Sequence, residues 1–123
     1  MNRNLTLLQL FSLLTFVLFM VHITQDTMLQ AEGSMKYPIP VVIFAVWLYA
    51  TLAAPDRMWG YVVMLLGGLI GLGMIMMHAR GVVVPNRDGF FFVWTLFALS
   101  ATGIVTMLLA LRAIGTSLRA RKQ

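Results

Sequence analysis

"WGYVVMLLGGLIGLGMIMMH", residues 59–78, decides the fold of this chain. It runs for a full bilayer thickness without an Asp, Glu, Lys or Arg. A membrane-crossing helix needs roughly 20 predominantly apolar residues. Three similar runs flank it, at 5–23 ("LTLLQLFSLLTFVLFMVHI"), 39–54 ("IPVVIFAVWLYATLAA") and 90–111 ("FFFVWTLFALSATGIVTMLLAL"). The second is short, but Pro38 and Pro40 suit a helix's first turn and Pro55 ends one. None alternates apolar and polar residues as barrel strands do, and backbone groups in lipid must be satisfied internally, so all four read as helices.

Composition agrees. Of 123 residues, 60% are hydrophobic and 11% charged, more apolar surface than a soluble domain of this length buries. The length allows one domain, residues 1–123, and no internal repeat, low-complexity segment or linker divides it. Cysteine is absent, which removes disulfides, thiolate metal sites and a cysteine nucleophile from consideration. The net charge of +5 does not point to nucleic acid, because Arg112, Arg119, Arg121 and Lys122 cluster in the tail, residues 112–123, just past the last apolar run. Such a tail suits anionic lipid headgroups. Arg3 ahead of an apolar stretch also fits a signal peptide, but the run is long and no small-x-small site follows closely, so it reads as a retained anchor.

Four spans put both termini on one side. That side carries Arg3, Arg57 and the four basic tail residues, and the other carries Lys36, Arg80 and Arg87. The excess predicts cytoplasmic termini. The link "PDRM" is so short that the second and third helices must form a hairpin. The expectation is an all-α, up-down-up-down bundle of four transmembrane helices.

At ~100° per residue, Gly60, Gly67, Gly71 and His78 fall within roughly 40° on the third helix. Glycines let another backbone approach, so this is the face expected to pack, with Gly67 and Gly71 as a G-x-x-x-G pair. On the first helix Ser12, Thr15, His22 and Asp26 share an arc of roughly 80°. His22 and His78 should therefore face each other at matching depth near the outer end, with Asp26 on the same rim. Glu32, Arg80, Arg87 and Asp88 fall in the adjoining loops.

That polar group suits four roles. The leading one is structural, with the histidines bonding loop groups and Asp26 and Glu32 pairing Arg80 and Arg87. Two histidines on separate helices also suit the axial positions of a b-type haem. His22, Asp26 and His78, with Glu32 as a fourth candidate, form a plausible zinc ligand set. A histidine beside a carboxylate suits acid–base chemistry on a lipidic substrate, in the style of four-helix sterol isomerases, although their acids lie within the spans. No phosphate-binding loop or nucleophile elbow is present.

The ten methionines, Met74, Met76 and Met77 among them, are expected to be flexible packing. Trp59 and Tyr61, and Phe90 to Phe92 with Trp94, read as interfacial belts. Trp47 and Tyr49 lie deeper and suit either the lining of a pocket or the core, with core packing the expected role.

The runs "VVIFAVWLYATL", "GYVVMLLGGLIGLGMIMMHARG" and "GFFFVWTLFAL" resemble a group of small bacterial four-span membrane proteins without an assigned activity. The resemblance spans most of the chain after the first helix. It implies a bacterial inner-membrane location and supplies no catalytic residues. No span centre carries a charge, which argues against a monomeric pump or channel. The expected role is an accessory or interaction subunit, as a homo-oligomer or within a larger membrane complex, without a cofactor. The alternative is a protein that binds haem, a divalent metal or a lipidic ligand at its outer end.

Overall fold

The computed structural model describes residues 3–29, 39–78 and 89–122, with side chains at 3–25, 41–78 and 89–122. Four helices account for nearly all of these: α1 (Arg3–Leu29), α2 (Ile39–Ala53), α3 (Met58–His78) and α4 (Phe90–Ala120). No strand occurs among the described residues. Three helices, α1, α3 and α4, are long and apolar enough to cross a membrane. The described α2 has 15 residues, about 22 Å at 1.5 Å per residue, against a hydrocarbon core of about 30 Å.

Helix ends follow local chemistry. Pro55 has no N–H and a fixed φ, so α2 stops before it. The turn is closed by Arg57 N–H donating to Ala54 O at 3.2 Å, and α3 starts at once, with Tyr61 N–H donating to Arg57 O at 3.0 Å. Gly60 is required here. A β-carbon at that position would run into the Ala54 carbonyl oxygen. At the other end of the chain α4 continues for a further nine residues past Leu111 to Ala120, so the basic tail is helical through Arg119.

Paired residues give the arrangement. Along α1 and α3 the numbers rise together, with Leu8 beside Met64, Gly71 beside Thr15 and His22 beside His78. Along α3 and α4 they run oppositely: Gly68 meets Met107 and Gly71 meets Leu99. The same holds for α1 against α2, where Phe19 meets Phe44 and Ser12 meets Thr51. Helices α1, α3 and α4 form the centre. Helix α2 lies against α1 and α3, and its backbone does not approach that of α4 among the described residues.

The α3–α4 interface is the most extensive, and small residues are the reason. A β-carbon on Gly103 would sit 2.7 Å from Gly68 O and 2.9 Å from Leu72 N, so the two backbones touch. Two apolar clusters flank this crossing. Leu8, Met64 and Ala110 form one, and Phe19, Trp47 and Leu99 the other. The outward surface is equally apolar, with Leu10, Val17, Leu66, Phe97 and Leu108 all exposed. An apolar exterior around an apolar interior is what a lipid solvent suits.

Several expectations are corrected. Tyr49 is not core: it is exposed and stacks on Trp59 with ring centroids 5.9 Å apart. Met76 and Met77 face outward, and among the described residues the fully buried methionine is Met64. Phe92 does not join the belt of Phe90, Phe91 and Trp94. It turns inward, because α4 buries positions 92, 95, 96, 99, 100, 103, 106 and 110, one continuous helical stripe. Gly67 and Gly71 both pack, but against different helices. Gly67 seats the Trp47 indole of α2, whereas a β-carbon on Gly71 would meet Thr15 of α1 at 2.9 Å and Leu99 O of α4 at 3.2 Å.

Candidate functional site at the histidine end of the bundle

The polar face of α1 is buried, with Ser12, Thr15 and His22 all at 1% exposure or less. Its first level is a closed hydrogen-bond ring. Thr51 donates its one hydroxyl proton to Trp47 O at 2.9 Å. The 2.8 Å contact between Ser12 and Thr51 is therefore donated by Ser12. The Trp47 indole N–H completes the ring by donating to Ser12 Oγ at 3.0 Å. Gln9 adds a bond from Nε2 to Thr51 O at 3.1 Å.

One turn on, Thr15 meets Thr106 of α4 at 3.0 Å. Each threonine also reaches the carbonyl four residues back on its own helix, so three short contacts share two protons. Ser100 of α4 donates to Gly71 O at 3.2 Å across the glycine crossing. These levels tie α1 to α2, α1 to α4, and α4 to α3.

The last level is the histidine pair. His22 is buried and His78 half-buried. Their rings meet edge to face, with centroids 4.9 Å apart and planes at 85°. Phe92 packs on both, 4.9 Å from His22 and 5.7 Å from His78. His78 Nδ1 lies 3.0 Å from Met74 O. A carbonyl only accepts, so Nδ1 carries the proton and the outward nitrogen of neutral His78 is Nε2. Gln25, three residues beyond His22, has a buried Oε1 with no hydrogen-bond partner among the described residues.

The structure thus brings together His22 and His78. Asp26 lies on α1, one turn past His22, and its side chain is outside the described residues, as are Glu32, Arg80 and Arg87. The expected pairing of acids with Arg80 and Arg87 is outside them too. Among the described residues no three His, Cys, Asp or Glu side chains group as metal ligands.

Sequence reasoning missed Phe92, which floors the pair, and Thr51, Thr106, Ser100 and Gly103, which lock the levels beneath it. Thr95, Gly103, Thr106 and Ala110 keep helical spacing with Phe92, and that stripe of small and hydroxyl residues was the available signal.

No protein-family model matches the chain, and neither does any curated protein or solved structure. The fold and site define the class by themselves. Among its described residues the protein is all-helical, with three helices long and apolar enough to cross a membrane and an internal polar column that ends in paired histidines.

Proposed function

We propose that this protein is a four-span accessory subunit of a bacterial inner membrane that works by lateral association, as a homo-oligomer or within a larger membrane complex. In this reading the bundle is up-down-up-down and both termini are cytoplasmic. The order of the paired residues and the basic residues at Arg57, Arg112, Arg119, Arg121 and Lys122 support it. The tail helix then lies along anionic headgroups.

One observation carries the association. Between α2 and α3 a groove of about 550 Å³ opens sideways, with Val42, Val46, Val63 and Leu66 on its walls and Trp47 and Gly67 at its base. Helix α2 leaves Val41, Val42, Ile43 and Val46 exposed beside it. In lipid, helices associate by close packing, and a groove with a glycine base accepts side chains from a neighbouring helix.

The cysteine-free chain makes the test direct. Leu66→Cys on the groove wall should form disulfide-linked dimers on oxidation in native membranes, or become protected from thiol reagents by a heterologous neighbour. Phe97→Cys on the exposed face of α4 should do neither. Equal reactivity at both positions, with no cross-link, refutes the proposal. For topology, an impermeant maleimide should label Gly89→Cys but not Arg57→Cys in intact cells, and the opposite pattern inverts the orientation.

The second reading, a ligand site at the outer end, draws support from the paired imidazoles.

A further inference from the structure

We propose that His22 and His78 hold one divalent transition-metal ion of the zinc class at the outer end of the bundle. This extends the ligand-site reading and is independent of lateral association. It begins from distance. With a metal–nitrogen bond of about 2 Å and about 1 Å more to the ring centre, two imidazoles on one tetrahedral ion have centroids about 5 Å apart. The observed separation is 4.9 Å, on two helices that run side by side. The same bonds on opposite faces of a haem iron need about 6 Å, with the macrocycle between the rings. Phe92 packs against both imidazoles and occupies that side of the pair, so the geometry favours the small ion over haem.

Edge-to-face packing of aromatic rings also covers about 4.5–7 Å, so distance alone does not select a ligand. Two further features do. First, His78 is oriented as metal-binding histidines are: a backbone carbonyl takes the Nδ1 proton and leaves Nε2 as the donor nitrogen. His22 also has two ring nitrogens, so a partner on one is compatible with metal on the other. Second, the Gln25 oxygen at the same end of α1 is a buried acceptor with no partner among the described residues. A water molecule on the metal supplies a donor for it, since metal-bound water is a strong hydrogen-bond donor.

The experiment uses the full chain purified in detergent and loaded with zinc chloride or cobalt chloride. After removal of excess metal, elemental analysis should find about one ion per chain, and the cobalt form should show the visible bands of a four-coordinate site. His78 is half-buried and bonded only to its own helix in the contacts described above, so His78→Gln should keep the far-ultraviolet circular dichroism of the fold while metal retention falls at least tenfold. His22→Gln should lose the metal as well. Zinc should raise the unfolding temperature of the native chain and leave that of His78→Gln unchanged. The proposal is overturned if the native chain retains no zinc or cobalt. It is equally overturned if His78→Gln retains as much as the native protein, because the metal then sits elsewhere. Neither outcome affects cross-linking through Leu66→Cys, so failure of the metal site and failure of the association remain distinguishable.

Discussion

Replacing Gly103 with alanine adds one methyl group, and the structure fixes what that group meets. Its β-carbon would lie 2.7 Å from Gly68 O, 2.9 Å from Leu72 N and 3.1 Å from Gly71 C, all backbone atoms of α3. None can rotate aside. Ordinary contact begins near 3.4 Å, so α3 and α4 must part by about 0.7 Å at their crossing. A gap of about 0.5–1 Å forfeits a quarter to a half of each dispersion contact. It also stretches the Ser100 to Gly71 bond, already 3.2 Å long. Against this, alanine gains up to about 1 kcal/mol in helix propensity. The net expectation is a loss of roughly 1–3 kcal/mol, the usual range for overpacking. Gly73→Ala is the internal control. A β-carbon there meets nothing within 4 Å, so only the propensity gain remains and the variant should be neutral or stabilised. Denaturant titration in mixed micelles, followed by far-ultraviolet circular dichroism, reads both. If the two substitutions shift the transition equally, or Gly103→Ala stabilises the protein, the backbone contact between α3 and α4 is not the keystone of the bundle.

Ser12→Ala removes the acceptor of the Trp47 indole and the donor to Thr51, and should cost roughly 1–2 kcal/mol in the same titration. Thr24→Ala, which loses only an exposed bond to its own helix, should change stability by less than about 0.5 kcal/mol. Gly67→Leu should expel the Trp47 indole from its seat. With Trp59→Phe and Trp94→Phe present, this should show as a shift in Trp47 emission, and an unchanged spectrum would refute the packing of α2 on α3. Phe92→Ala should open the floor under both imidazoles and lower stability by about 3 kcal/mol or more, the range for buried aromatic truncation.

The helices were legible because hydrophobic length is a one-dimensional property. A run of 20 residues without a charge, as at 59–78, has one economical structure in lipid. The facing of α1 was legible from Ser12, Thr15 and His22, whose spacing alone places them on one side. The partners were not. A stripe of glycines announces close packing without saying which helix approaches, and Gly67 and Gly71 turn out to meet different ones. Tyr49 and Trp47 are two residues apart and equally aromatic, yet one faces out and the other in. That choice depends on where α2 docks, and α2 is apolar nearly all round. Phe92 was hidden for the same reason: three consecutive phenylalanines give no phase, and only the small residues further along α4 reveal it.

The polar column itself separates two kinds of residue. Thr15, Thr51, Thr95, Thr102 and Thr106 each reach the carbonyl four residues back on their own helix. A hydroxyl satisfied this way is tolerated in lipid at little cost, and its lone pairs can still accept a bond from a second helix. Such residues need no function beyond packing. An imidazole is different, since it has two nitrogens on a ring too rigid to turn both toward its own backbone. His78 meets one requirement through Met74 O, and its ring packs edge to face on a second, buried imidazole. A leucine or phenylalanine at either position would fill the space beside Phe92 with no polar atom to accommodate. Two imidazoles together at the end of an otherwise hydroxyl-lined column are therefore the feature that packing explains least.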